Sequence, residues 1–169
     1  MDNLYINNWD EYFLRHAYLT SYKSKDKFTK IGSVIVKKDS IISEGFNGLP
    51  RKVNDEINER HERPEKYAYY EHSERNAIFN CARNGQSSLG CYLYSLALPC
   101  CDCSRACIQA GIFRIYIHRQ YQKYFNYHEN WKKNLRYSEE MLHEAGIEII
   151  EIDKILGLKA LCNSETIEV

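Results

Sequence analysis

The sequence predicts an α/β fold: a mixed sheet of five strands with helices on both faces. Three observations carry this. Strand-like and helix-like apolar patterns follow one another as α-β-β-α-β-α-β-α-β, and strands alternating with helices after an opening hairpin build such a sheet. Glycine stop signals close the helical patterns at Asn84-Gly85, Gly111 and Gly146. The 169 residues have the size of one domain, and such a domain buries about 68–70% of its unfolded surface without staples.

The first helix is expected over residues 9–24, with Asn8 as N-cap and Tyr12, Phe13, Ala17 and Leu19 as its apolar face. Lys23, Lys25 and Lys27 follow in YKSKDKF, as an exposed basic turn or a phosphate contact. Residues 31–38 and 40–46 read as two strands joined at Lys38-Asp39. The second ends in GFNGLPR, where Asn47 is either a turn residue or a group that holds a sugar hydroxyl or base edge. Residues 49–70 form a long polar segment, functional or disordered, that leads into a helix over 72–83. Ile78, Phe79 and Ala82 are the expected apolar side of that helix. A strand at 91–98, a helix at 100–110 and a strand at 113–118 follow. A helix at 130–145 turns Leu135, Met141 and Leu142 inward, and 147–152 is the fifth strand. Within the single domain 1–169, residues 153–169 are expected to be a C-terminal extension with one short helix and a frayed end.

Composition narrows the function. Lys and Arg number 23 and so do Asp and Glu, which favours a small-molecule substrate over a polyanion. Against this, residues 113–137 hold six Lys or Arg, one acid and eight aromatics, a pattern able to stack bases. Its expected use is a lid or a subunit interface. Seven cysteines, an odd number with several adjacent, make a poor disulfide framework and fit a reducing compartment. The opening MDNLYINNWDEY has no basic region followed by an apolar run, and no stretch reaches 18 apolar residues. The expected location is the cytoplasm, with no membrane partner.

Two short motifs carry the chemistry. His72-Ser73-Glu74 opens one helical pattern, and Pro99-Cys100-Cys101-Asp102-Cys103 opens the next. A catalytic zinc takes three protein ligands and leaves a fourth position open, and His72, Cys100 and Cys103 are ligands of the right kind. Cys100 and Cys103, spaced i and i+3, face one way at a helix start, where the thiolate is favoured. Glu74, two residues beyond the histidine, is the expected proton carrier. Cys107 lies one turn beyond Cys103, but only Cys100 with Cys103 keeps the P-C-x-x-C spacing. Cys81, Cys91, Cys101, Cys107 and Cys162 are expected to be small buried hydrophobes. His61 is the only soft ligand in the polar segment, so no second zinc is expected.

Read together, H-x-E and P-C-x-x-C form the signature of the zinc deaminases. Over residues 9–150 the chain resembles the deoxycytidylate (dCMP) deaminases of the cytidine deaminase-like superfamily. The resemblance rests on WDEYF, KSKD, GFNGLP, HSERNAI, PCCDC and residues 107–112. GFNG and the Asn-Ala-Ile after the glutamate resemble the dCMP branch rather than the tRNA adenosine deaminases. The resemblance implies a three-layer α/β/α sandwich, one catalytic Zn2+ and hydrolysis of dCMP to dUMP and ammonia in pyrimidine deoxynucleotide metabolism. It also implies a homo-oligomer, a hexamer or dimer, with dCTP activating and dTTP inhibiting.

The resemblance also implies roles for single residues. His72, Cys100 and Cys103 match the zinc ligands and Glu74 the proton shuttle. Asn47 matches the residue that holds the deoxyribose, and the Ser73 backbone the group that holds the pyrimidine carbonyl. Arg83 matches an arginine near effector and subunit contacts. Lys23 stands where an arginine usually binds phosphate, and Arg119, in His118-Arg119, is the nearest match to a second phosphate contact. These departures leave dCTP, a modified deoxycytidylate or a free nucleoside as alternative substrates. Two readings of other kinds stand beside it: a deaminase of a base in RNA or single-stranded DNA, and a non-catalytic zinc-stabilised nucleotide sensor. The intact H-x-E argues against the sensor, because structural zinc sites fill all four positions with protein ligands.

Overall fold

The computed structural model describes Ile6, residues 8–125 and residues 129–169. Tyr127, one of the aromatics counted in segment 113–137, lies outside the described residues. Helix α1 (Trp9–Ser21) leads into the hairpin of β1 (Gly32–Lys37) and β2 (Ser40–Phe46). A 3-10 turn (Asn58–His61) and the short α2 (Lys66–Tyr69) cross to α3 (Ser73–Arg83). Then come β3 (Tyr92–Ser95), α4 (Cys101–Gln109), β4 (Arg114–His118), α5 (Arg119–Gln122), α6 (Glu129–Glu144) and β5 (Glu148–Ile152). The chain closes with a second hairpin, β6 (Lys159–Cys162) and β7 (Glu165–Glu168).

The main sheet has the order β2-β1-β3-β4-β5. Strand β1 runs antiparallel to both its neighbours, while β3, β4 and β5 run parallel. It follows that β2 points the same way as β3, β4 and β5, so all four end at one edge. Helices α3 and α4 therefore both begin near that edge, where open α/β sheets hold their ligands.

Strand alternation divides the core in two. Val34, Val36, Tyr94 and Tyr116 face α1 and meet Phe13, Leu14, Ala17 and Tyr18. Ile35, Leu93, Ile115 and Ile117 face the other way and meet Ala77, Cys81, Cys107, Leu135 and Leu142 of α3, α4 and α6. Strand β1 is buried on both faces, as its unbroken Ser-Val-Ile-Val run requires. The layer containing α1 is completed by the terminal hairpin, through Ala160, Cys162, Ile167 and Val169.

The structure corrects three expectations. Helix α1 stops at Ser21, because Ser24 Oγ donates to the Asn47 carbonyl and pulls the chain out of the helix. It also turns Tyr12 and Leu19 outward and buries Leu14 and Tyr18 instead. Helix α3 buries Ser73, Glu74, Ala77 and Cys81, and Phe79 is exposed. The cause is the close approach of β2: a Cβ at Gly45 would lie 2.3 Å from the Ala77 nitrogen and 2.4 Å from the Ser73 carbonyl. Only small side chains fit along such a contact. Residues 153–169 form the hairpin rather than a helix. Asn163 and Ser164 both take positive φ, the backbone of a tight turn whose twist matches two antiparallel strands. Among the described residues no helix is long and apolar enough to cross a membrane.

Two outcomes follow from this packing. Gly45→Ala forces α3 off β2 and is expected to destabilise the protein by roughly 3 kcal/mol, read from urea unfolding. His118 is fully buried, with Nε2 donating to the Lys154 carbonyl at 2.7 Å and Nδ1 accepting from the Tyr18 hydroxyl at 2.5 Å. Burial holds its pKa below the ordinary histidine value near 6.5. The unfolded chain therefore binds this proton more tightly than the folded one. The stability from neutral His118 is complete above about pH 6.5 and is lost as pH falls through the lower folded pKa. The melting temperature should drop over that window, and less steeply in His118→Asn.

Candidate active site

Two helix starts build the centre. His72 is the N-cap residue of α3 and Cys100 that of α4, both with extended backbone and neither making a side-chain cap hydrogen bond. An N-cap side chain normally turns back to its own helix. Here both turn outward toward each other, and Cys103 joins them from the first turn of α4. His72 Nδ1 lies 3.5 Å from Cys100 Sγ and 3.5 Å from Cys103 Sγ, and the two sulfurs are 3.6 Å apart.

These separations test the metal. Sulfurs about 2.3 Å and a nitrogen about 2.0–2.1 Å from a tetrahedral zinc would stand roughly 3.8 Å (S to S) and 3.5 Å (S to N) apart. The observed triangle matches that size and is far wider than the roughly 2.0 Å of a disulfide. These are the atoms that would hold the ion. Without it, hydrogen bonds from Cys103 and His72 pull the pKa of Cys100 down, and that same bond, with burial, pushes Cys103 up. A dication between the sulfurs would favour both thiolates.

Neighbouring groups restore what the capping residues forgo. Asn134 of α6 accepts the Cys101 N–H on Oδ1 and the Cys101 thiol on its carbonyl. Ser138 donates to the Pro99 carbonyl at 2.7 Å. Glu71 accepts the His72 N–H and is paired at 2.5 Å with Arg75, which reaches across to Asp102 at 3.7 Å. Both helix starts are thereby fixed to each other and to α6.

Beside the centre lies a cavity of about 270 Å³, just below the usual range of drug-sized ligand sites. Glu74 is buried in its wall, with Oε2 accepting from Ser73 Oγ at 3.1 Å. Burial raises its pKa against the opposing charge of His72, so this carboxyl is poised to hold a proton. The Ser73 hydroxyl also meets Ser33, which donates to Ser95. The Ser73 N–H, in the first turn of α3, has no intrahelical partner.

A second buried group forms the floor. Asp26 pairs with Lys66 at 2.5 Å, and the same carboxylate oxygen accepts from Asn47 Nδ2 at 2.9 Å. Its other oxygen accepts the N–H groups of Phe28 and Thr29. Asn47 also donates to the Thr29 carbonyl and accepts the Ile31 N–H. Both of its amide hydrogens are thus spoken for, and toward a ligand it can only accept.

The structure thus brings His72, Ser73, Glu74, Cys100, Cys103 and Asn47 together. It leaves Lys23 on the exposed turn after α1, outside the cavity lining. Arg119 is exposed at the start of α5, 3.5 Å from Glu151 and 3.4 Å from Asp153. Arg83 lines a separate hollow between β2 and the end of α3, with Arg51 and Glu44. Sequence reasoning assigned no role to Asp26, Arg63, Lys66, Trp131 or Asn163, all of which line the cavity. Asp26 carried a signal, since Asp two residues before an amide-rich turn is a local acceptor. The others come from remote segments and carried none.

The family model of the "cytidine and deoxycytidylate deaminase zinc-binding region" matches residues 7–119. An uncharacterized deaminase encoded in the luxG 3′ region of Aliivibrio fischeri is 34% identical over 144 residues, covering 85% of this chain and 93% of that protein. A probable deoxycytidylate deaminase of Drosophila melanogaster is 33% identical, covering 83% of this chain and 70% of its own length. The human deoxycytidylate deaminase is 36% identical over 110 residues, covering 62% of this chain and 61% of its own. Among solved structures, the dCMP deaminase of cyanophage S-TIM5 in complex with dCMP and dUMP has a TM-score of 0.68 at 26% identity. That match covers 88% of this chain and 99% of the phage chain.

Metal analysis of purified variants tests the centre. Cys100→Ser and Cys103→Ser are expected to lose bound zinc. Cys107→Ala is expected to keep it, because Cys107 is packed in the core with its pKa raised by burial. Zinc retained in Cys103→Ser but lost in Cys107→Ala would reverse the assignment.

Proposed function

We propose that this chain, which belongs to the cytidine and deoxycytidylate deaminase family, hydrolyses dCMP to dUMP and ammonia with one zinc ion. The observation that carries the reading is the His72, Cys100 and Cys103 triangle with buried Glu74 beside it in a cavity of nucleotide size. The dCMP-bound relative of the same fold supports the choice of substrate.

Zinc, when bound, supplies Lewis acidity that makes water a usable nucleophile near neutral pH. The chain's own residues do the rest. Glu74 takes one proton from the attacking water and delivers it to ring N3, then takes the second from the new C4 hydroxyl and delivers it to the amine, which departs as ammonia. Its burial keeps that proton from bulk solvent. The Ser73 N–H meets the pyrimidine O2 carbonyl. Asn47, held by Asp26 and Thr29, accepts from a sugar hydroxyl. The balance is dCMP and water in, dUMP and ammonia out.

The family resemblance extends the proposal to a homo-oligomer, hexamer or dimer, under control by dCTP and dTTP. Its support here is the hollow where Arg83 and Arg51 meet at the open edge strand β2. The seven free cysteines fit the reducing cytoplasm. A polynucleotide substrate has less support. Arg114, Arg119, Lys132 and Arg136 of the basic and aromatic segment are each engaged with a carboxylate.

Ammonia release from deoxycytidine, dCMP, dCTP and a cytosine-containing single strand, with and without dCTP or dTTP, tests the reading. Preference for dCMP is expected, and release only from the oligonucleotide would overturn it. Glu74→Gln should keep zinc and nucleotide binding while losing turnover by about 10²–10⁴-fold. Near-normal turnover in that variant would remove Glu74 from the mechanism.

A further inference from the structure

The cavity holds two cations among its described lining residues, Arg63 and Lys66. They are not equivalent. Lys66 is buried and already engaged by Asp26 at 2.5 Å, so its charge is cancelled inside the wall. Arg63 is exposed, and among the described residues no carboxylate forms an ion pair with it. Its guanidinium lies instead over two rings, 5.6 Å from the centroid of Phe28 and 5.9 Å from that of Tyr67. Rings so placed restrict a long side chain and leave the in-plane N–H fork free, the form in which arginine takes a phosphate in two contacts.

The platform beneath it is built, not incidental. The Phe28 N–H donates to Asp26 Oδ1 at 2.8 Å, and its carbonyl accepts the Ser164 N–H at 2.7 Å. Asn163, beside Ser164, donates its N–H to Thr29 Oγ1. The terminal hairpin therefore clamps the loop that carries Phe28, and Phe28 carries Arg63. Lys66 Nζ also lies over the same ring, 5.2 Å from its centroid.

The geometry points to Arg63 as the residue that grips the phosphate monoester of the substrate, and so decides nucleotide over nucleoside. This rests on the proposed dCMP reading, and it locates the grip in segment 62–66 rather than at Lys23 or Arg119. Once an anion binds, the cavity's one uncompensated described cation is paired. Because Arg63 is exposed, the contact is screened by salt.

The test separates binding from turnover. In the Glu74→Gln background, calorimetry compares dCMP with deoxycytidine, alone and with Arg63→Ala, Arg63→Lys, Arg60→Ala, Lys23→Ala and Arg119→Ala. Arg60 is a cation of the same polar segment outside the cavity lining, and its variant is the control. Arg63→Ala should weaken dCMP by about ten- to a hundredfold, the usual size of one charged hydrogen-bonded contact, and leave deoxycytidine unchanged. Arg63→Lys should recover part of the loss, and Arg60→Ala should cause none. The salt dependence of dCMP affinity should shrink in Arg63→Ala. Equal weakening of dCMP and deoxycytidine, unchanged dCMP affinity, no preference for dCMP in the parent, or a loss seen only in Lys23→Ala or Arg119→Ala would each overturn the assignment. Ammonia release from dCMP by the unmutated protein is read separately. Its absence defeats the dCMP reading, while the binding arms still decide Arg63.

Discussion

Two helices must start within a few ångströms of each other, and most of the structure serves that requirement. His72 and Cys100 sit at N-cap positions, where a side chain would ordinarily satisfy its own helix. Turning both toward a shared point leaves amide groups to be met by others, which is the work of Asn134, Ser138, Glu71 and Arg75. It also fixes how close α3 must lie to β2. Gly45 and the small residues Ser73, Ala77 and Cys81 permit that approach. The strand directions do the rest, since β2 and β3 end at the same edge and deliver both helices there.

Charge inside the cavity is managed in pairs. Asp26 is almost wholly buried, and a lone carboxylate there would be strongly unfavourable. It is met by Lys66, Asn47 and two backbone N–H groups, so its oxygens are satisfied without water. The network orients Asn47 by using up its donors. A polar wall held this way is oriented before a ligand arrives, which is the preorganisation that binding and catalysis both favour.

The centre was legible in the sequence because its residues are local. H-x-E and P-C-x-x-C each lie within one turn, and the chemistry of zinc fixes which residue types can serve. The sheet was legible too, since 32–37 and 114–118 are short apolar runs rich in Val, Ile and Tyr. What escaped was set by distant partners. Phe79 reads as core, but the nearness of Gly45 rotates α3 away from it. The end of α1 is decided by Asn47, 23 residues downstream of Ser24. The Asn163-Ser164 turn has no glycine, so the hairpin it makes does not announce itself. Lys66 and Arg63 come from a polar segment whose pattern alone does not reveal which side chains point inward.

That hairpin has a consequence for the order in which the protein matures on the ribosome. His72, Cys100 and Cys103 emerge well before residues 159–168. Yet the contact that clamps the Phe28 loop joins Thr29 to Asn163, 134 positions apart. The layer around α1 likewise waits for Ala160, Cys162 and Ile167 to cover it. Contacts of such long sequence separation close last, and until they do the nascent chain exposes apolar surface on one face. The triangle of His72, Cys100 and Cys103 can therefore assemble while the cavity beside it still lacks the wall that Asn163 completes, and the slow step in the chain's biogenesis awaits the synthesis of this hairpin.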